Sequence, residues 1–85
     1  MKILIIEDEK ALRETVRDFF LKEKFVVECA EDYPSAMSKI NDYDYDCILL
    51  DIMLPGGDGL SILAHLKRKR KKESVIILSA KDSIE

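Results

Sequence analysis

The chain has 85 residues, of which 47% are hydrophobic and 36% charged, and its net charge is −3 at pH 7. This length predicts one domain with a small core, and the negative charge gives no general reason to expect nucleic-acid binding. No apolar run approaches the roughly 20 residues of a membrane span and no signal peptide precedes the first strand, so we expect no membrane contact and a cytoplasmic location.

The chain opens with a predicted strand and helix. Ile3 to Ile6 is a continuous apolar run rich in β-branched side chains, which is typical of a strand buried on both faces. A helix is predicted next, over about residues 9–23, with Asp8 as its N-cap and Glu9 in its first turn. Its predicted inward face repeats at helical spacing and consists of Leu12, Val16, Phe19 and Phe20.

A second strand–helix unit follows. Phe25 to Ala30 is predicted to be a strand, and Asp32 and Pro34 are predicted to open a helix. The side chains of this helix that we expect to face inward are Ala36, Met37 and Ile40. Two isolated cysteines, Cys29 and Cys47, lie in strand-like runs without metal-binding spacing, so they are predicted to be buried thiols.

The third unit is interrupted by a loop. Cys47 to Ile52 is predicted to be a strand, and Leu54 to Gly59 a loop, because proline and glycine interrupt regular structure. A third helix should then face inward with Leu60, Leu63, Ala64 and Leu66. Val75 to Leu78 is the fourth predicted strand, and Lys81 to Glu85 is at most the first turn of a fourth helix.

Strands that alternate with helices in this way predict an α/β fold. The expected architecture is a parallel sheet with right-handed crossovers and helices on both faces.

Three acidic residues follow or end predicted strands: Glu7 and Asp8 after the first, and Asp51 within the end of the third. In open parallel sheets, ligands bind beyond the carboxyl ends of the strands. If the two strands are neighbours, the three carboxylates converge and repel one another, and a divalent cation such as Mg²⁺ together with a phosphoryl group would remove that repulsion. The alternative is that Glu7 and Asp8 only cap a helix while Asp51 lies on a solvated loop.

A basic run, Lys67 to Lys72, is open to two interpretations. It could bind an anionic partner, or it could be the solvated end of a helix, where cations suit the helix dipole. No aromatic side chains interleave with it, which favours the solvated helix end.

Four motifs resemble the receiver domain of two-component response regulators. They are Ile5 to Glu9 (IIEDE), Leu49 to Pro55 (LLDIMLP), Asp58–Gly59, and Leu78 to Ala80 (LSA). The resemblance runs from Lys2 to Ala80, and the motifs are specific as a set, in this order and at these intervals.

The resemblance implies a role for each matching residue. Asp51 would be the phosphoacceptor that takes a phosphoryl group from a phosphohistidine on a sensor histidine kinase. Asp8 and Asp51 would bind Mg²⁺ directly, Met53 would add a backbone carbonyl, and Glu7 would act through a coordinated water. Ser79 would donate a hydrogen bond to the phosphoryl group and report its presence.

The resemblance also implies a five-stranded, flavodoxin-like fold with strand order 2-1-3-4-5. Residues 1–85 account for four strands in the order 2-1-3-4, three helices and the start of a fourth, so we expect an incomplete receiver domain. The last helices and the fifth strand, with the lysine that the family places there, would be absent, and switching would be impaired.

The expected absence of the fifth strand and the last helices also predicts which partners the chain binds. An open edge at Val75 to Leu78 and an uncovered sheet face predict self-association, for example as a dimer. DNA binding and transcription control would need an output domain that is absent from these residues.

Three functions are compatible with these residues. The first is a phosphoacceptor signalling module that is not an enzyme. The second is a binding or assembly fragment that self-associates without switching. The third is a phosphotransferase or phosphatase with an aspartyl-phosphate intermediate. That class usually places a second Asp two residues after the nucleophile as general acid, and Met53 at that position speaks against it.

Overall fold

The computed structural model describes residues 1–51, 53–54, 57–68 and 74–78. Nine elements follow one another along these residues: β1 (Lys2–Ile6), α1 (Lys10–Lys22), β2 (Val26–Ala30), α2 (Tyr33–Asp42), β3 (Cys47–Asp51), β4 (Met53–Leu54), β5 (Gly57–Asp58), α3 (Gly59–Arg68) and β6 (Ser74–Leu78). The predicted start of a fourth helix, residues 81–85, lies outside the described residues.

The main sheet has four parallel strands in the order β2-β1-β3-β6. The fourth strand of this sheet is the predicted run at Val75 to Leu78, and it pairs with β3 from Ser74 to Leu78. Both the parallel α/β class and the 2-1-3-4 order are therefore confirmed.

Alternate residues of each strand face opposite sides of the sheet, and the two sides are packed unequally. On one side, Leu4, Ile6, Ile48 and Leu50 form a cluster with α2 and α3, which we call the large cluster. Its other buried members are Ala30, Ala36, Ile40, Tyr45, Leu54, Ile62 and Leu66. Each fully buried Ile or Leu contributes about 1.5–3 kcal/mol, so this side supplies most of the stability.

The opposite side carries the small cluster, whose buried members in the described part of the chain are Ile3, Ile5 and Leu49. Helix α1 packs on it through Val16 and Phe20, but no residue of α1 is buried. The prediction that Leu12 and Phe19 face inward is wrong, because Phe19 is 59% exposed and Leu12 is also exposed. The helix touches the sheet along a narrower stripe than its apolar residues cover.

The inward face of α3 also differs from the prediction. Ile62 and Leu66 are buried and Leu63 is partly buried, whereas Leu60 and Ala64 are exposed. The run contains two overlapping apolar stripes, and the helix uses the one that begins at the buried Gly59.

Of the two helix starts predicted from the sequence, the structure confirms the one at α2 and corrects the one at α1. Asp32 caps α2 as predicted, since its carboxylate accepts a hydrogen bond from the Ser35 backbone N–H at 2.9 Å. The N-cap of α1 is Glu9 and not Asp8, and the side chain of Glu9 makes no capping hydrogen bond. The turn after β1 therefore takes one residue more than predicted, which leaves Asp8 before the helix.

Helix α1 ends in a Schellman motif. The backbone N–H of Phe25 donates to the carbonyl of Phe20 at 3.1 Å, and that of Lys24 donates to Leu21 at 3.0 Å. The rings of Phe20 and Phe25 stack with centroids 5.6 Å apart, which is the apolar contact typical of this motif. Lys24 adopts the left-handed conformation that the motif requires, with φ of 66°.

The segment after β3 was predicted to be a loop from Leu54 to Gly59. The structure has a short antiparallel pair there instead, in which Met53 faces Asp58 and Leu54 faces Gly57. Pro55, between the two short strands, lies outside the described residues.

A polar network lies at the amino-terminal end of the sheet. The hydroxyl of the buried Tyr45 donates to Glu28 Oε1 at 2.6 Å. The ammonium groups of Lys2 and Lys39 lie 3.6 and 3.7 Å from the same carboxylate. The backbone N–H of Lys2 also donates to Asp46 at 2.7 Å.

Among the described residues, no helix is both long enough and apolar enough to span a membrane.

Candidate functional site

The ends of β1 and β3 bring the acidic residues of the sequence together. The two strands are parallel neighbours, with Ile6 opposite Leu50. Glu7 follows Ile6 directly, and Asp51 follows Leu50 as the last residue of β3. Both carboxylates therefore lie at the edge of the sheet where ligands collect in open α/β folds.

Glu7, Asp8 and Asp51 form a compact cluster, which we call the acidic cluster. Each offers a carboxylate oxygen, and these oxygens all lie within 4.8 Å of one another. Asp51 is 0% exposed and Glu7 is 2% exposed, while Asp8 is half-buried. The alternative that Asp51 lies on a solvated loop is therefore excluded.

Backbone hydrogen bonds hold Glu7 in place. Its own N–H donates to the carbonyl of Ala30 at 3.0 Å, which ties the end of β1 to the end of β2. Its Oε2 atom accepts a hydrogen bond from the backbone N–H of Glu9 at 2.9 Å. The position of this carboxylate therefore depends on the turn between β1 and α1.

The donor set of the acidic cluster fits a hard divalent cation. All three groups are carboxylates, and Mg²⁺ binds oxygen ligands, usually through one or two carboxylates with water completing its shell. Like charges at this separation repel each other strongly where water is excluded, so a cation would relieve a repulsion built into the fold.

The two other predicted site residues are Met53 and Ser79. Met53 lies in β4, two residues beyond Asp51. Ser79 lies outside the described residues. The residue before it, Leu78, is paired with Asp51 across the β3–β6 ladder.

Arg13 is a site residue that the sequence reasoning missed. Its guanidinium Nη1 donates to the backbone carbonyl of Glu7 at 3.0 Å and lies 3.4 Å from that of Asp8. The available signal was its position on α1, four residues after Glu9, because helical side chains point back toward the helix N-terminus.

Comparison with known proteins gives the same family on sequence grounds. A family model described as the response regulator receiver domain matches residues 3–85. The transcriptional regulatory protein ResD of Bacillus subtilis is 36% identical over 80 residues, or 94% of this chain and 33% of that protein. The phosphate regulon transcriptional regulatory protein PhoB of Escherichia coli is 42% identical over 82 residues, or 94% of this chain and 36% of that protein. The chain thus spans about a third of the length of these relatives.

Solved structures match the fold as well. The response regulator TrrA of Thermotoga maritima, crystallised in complex with Mg²⁺–BeF, has a TM-score of 0.86 and 32% identity, covering 93% of this chain and 69% of its own. The receiver domain of Francisella response regulator 1452 has a TM-score of 0.88 and 35% identity, covering 98% of this chain and 69% of its own. Motifs, strand order, family model and solved structures agree, and the chain belongs to the response regulator receiver domain family of two-component systems.

Proposed function

We propose that this chain is a phosphoacceptor module, which takes a phosphoryl group from a sensor histidine kinase onto Asp51 with the help of Mg²⁺. The observation that carries the proposal is the complete burial of Asp51 beside two other carboxylates at the carboxyl edge of the sheet. A buried carboxylate cluster is costly to a fold, so its presence favours a function at this site.

Asp51 would act as the nucleophile. A carboxylate oxygen attacks phosphorus, the P–N bond to the donor imidazole breaks, and the imidazole nitrogen keeps the electron pair. Because a carboxylate is a modest nucleophile, its rate depends on positioning. Asp51 is well held for this, since β3 is paired with β1 on one side and with β6 on the other.

The acidic cluster would hold the metal. Asp8 and Asp51 would bind Mg²⁺ directly, Glu7 would act through a water, and the Met53 backbone carbonyl would complete the protein ligands. When bound, Mg²⁺ would neutralise charge on the transferring phosphoryl group. The proposal gains support from TrrA, a relative solved in complex with Mg²⁺–BeF. Ser79 keeps its proposed role as a hydrogen-bond donor to the phosphoryl group.

The experiment is intact-mass measurement after incubation with Mg²⁺ and acetyl phosphate. We expect one phosphoryl addition to the wild-type chain, loss of the addition in Asp51→Asn, and loss when EDTA replaces Mg²⁺. Asp18→Asn is the matched control, because it makes the same chemical change at an exposed position on α1. A folded wild-type chain that gains no phosphoryl group, or an Asp51→Asn variant that gains as much, would contradict the proposal.

We propose a signalling role without enzymatic turnover of its own. Phosphatases and phosphotransferases with an aspartyl-phosphate intermediate usually place a general acid two residues after the nucleophile, and Met53 cannot serve as one. Transcription control is proposed only for a whole regulator of the length of ResD or PhoB. The cytoplasmic location stays a prediction.

Self-association stays part of the proposal. The β6 strand lies at one end of the main sheet and carries Ile76, which is 51% exposed, and Phe19 is exposed on the same molecule. A second copy of the chain that covered these apolar groups would gain stability from their burial. Sedimentation that is independent of protein concentration, at the monomer mass, would contradict this part.

A further inference from the structure

Arg13 lies behind the acidic cluster and contacts its backbone. The side chain is only 14% exposed. Its guanidinium makes two contacts to this backbone, at 3.0 Å to the carbonyl of Glu7 and at 3.4 Å to that of Asp8. The Arg13 backbone N–H also donates to the carbonyl of Glu9 at 2.9 Å, which is the ordinary helical bond to the N-cap and does not depend on the side chain. The Arg13 side chain therefore reaches two consecutive carbonyl oxygens, those of residues 7 and 8.

These carbonyls belong to the turn that carries the carboxylates. The turn comes after the last residue of β1, Ile6, and before the first residue of α1, Lys10. Outside regular structure, the direction of a peptide group is set by whatever its N–H and C=O bind. A guanidinium that binds successive carbonyls therefore fixes the peptide planes from which the Glu7 and Asp8 side chains project.

The carboxylate of Glu31 partly balances the positive charge of Arg13. Its Nη2 lies 3.8 Å from the carboxylate of Glu31, just beyond the end of β2. Glu31 has 68% of its side chain exposed, so this ion pair is screened by water and weak. The carbonyl contacts, at an almost buried group, are the stronger part of the arrangement.

We propose that Arg13 is a positioning residue for divalent cation binding: by holding the carbonyls of residues 7 and 8, its side chain keeps the Glu7 and Asp8 carboxylates in the arrangement that receives the cation. This inference rests on the proposed function, in which the acidic cluster binds Mg²⁺. Arg13 itself does not touch the cation. A lysine cannot replace it fully, since only the planar guanidinium fork reaches two carbonyls and Glu31 together.

The test is the dissociation constant for Mg²⁺, measured by titration calorimetry on the full chain and its variants. We expect Arg13→Gln to raise the Kd about tenfold, the size typical for removing a group that orients metal ligands. Arg13→Lys should recover part of that loss. Arg17→Gln is the matched control, because it removes the same charge one turn further along α1, where Arg17 pairs with Asp18; its Kd should stay within about twofold of wild type.

A second measurement separates positioning from mere support of the helix. Urea unfolding in EDTA reports the stability of each variant without metal. If Arg13→Gln lowers that stability but leaves the Kd of the folded protein unchanged, Arg13 is structural only and the inference is overturned. If Arg13→Gln does not fold, Arg13→Lys decides: a Kd equal to wild type would show that charge alone suffices, which also overturns it.

The Mg²⁺ titrations distinguish a failure of the proposed metal site from a failure of the role of Arg13 alone. A wild-type chain that binds no Mg²⁺ would remove the metal site and this inference together. A wild-type chain that binds Mg²⁺, with an Arg13→Gln variant that binds it equally well, would remove only the role of Arg13 and leave the proposed function standing.

Discussion

Replacing one buried carboxylate of the acidic cluster should stabilise the chain when no metal is present. In Asp51→Asn the side chain keeps its shape and loses its charge. The change acts on two neighbours at once, because the carboxylates of Glu7 and Asp8 lie within 4.8 Å of that of Asp51.

The magnitude follows from Coulomb's law. Two unit charges 4.8 Å apart repel each other by about 3.5 kcal/mol at an effective dielectric constant of 20, and by about 0.9 kcal/mol in bulk water. Asp51 and Glu7 are buried, but the half-buried Asp8 admits solvent to one side. We therefore expect Asp51→Asn to be more stable than wild type by about 1–3 kcal/mol in EDTA.

Adding Mg²⁺ should remove the difference in stability between Asp51→Asn and the wild-type chain. A ligand that binds only the folded state at 100 times its Kd stabilises by about 2.7 kcal/mol, so the wild-type chain should catch up with the variant as Mg²⁺ is added. The variant should respond far less, since it lacks one of the proposed ligands.

The assay is urea unfolding followed by circular dichroism, in EDTA and then in a series of Mg²⁺ concentrations. Asp18→Asn serves as the control at an exposed carboxylate and should stay within about 0.5 kcal/mol of wild type in both conditions. If Asp51→Asn is clearly less stable than wild type in EDTA, then other groups of the protein compensate the charge of Asp51, and the carboxylates of the acidic cluster do not repel one another in the folded chain.

Two further predictions concern the rest of the fold. Lys24→Gly should raise the free energy of unfolding by about 1 kcal/mol, measured by urea unfolding, because glycine adopts the left-handed conformation of this position without the steric cost of a Cβ; Lys22→Gly, inside α1, should have the opposite effect. The hydrogen bond from Tyr45, with Lys2 and Lys39 close by, lowers the pKa of Glu28 in the folded chain. The stability that this gives is complete above the unfolded pKa of about 4.3 and is lost as pH falls through the lower folded value; Glu28→Gln should flatten that part of the stability–pH curve, and an unchanged curve would contradict the assignment.

The strands and the acidic cluster were accessible from sequence because each depends on a short, local signal. Continuous apolar runs such as Ile3 to Ile6 define strands buried on both faces, and parallel neighbours end at the same edge. It follows that Glu7 and Asp51 meet, which the structure bears out geometrically. Their roles in metal binding and phosphoryl transfer stay predictions.

The features that were not predicted from the sequence depend on contacts between elements that are distant in the chain or on the conformation of a turn. The α1 stripe was predicted from spacing, but its width against the sheet depends on the sheet, so the exposure of Phe19 was missed. In α3, Leu60 and Ile62 are both apolar, and spacing alone did not show that Ile62 is the buried one. Arg13 was missed because its contacts are to carbonyls, whose direction depends on the conformation of the turn.

Because no residue of α1 is buried, opening of this helix should change how readily a cysteine beneath it reacts. Local opening needs least free energy where few apolar contacts are lost, so α1 should leave the sheet more often than α2 or α3 does. Beneath it, Cys29 packs against the small cluster, and burial raises the pKa of its thiol. Cys29 is half-buried while α1 is in place, so only part of its alkylation rate depends on opening of the helix that holds Arg13. That part should fall when a cation fastens the adjoining turn.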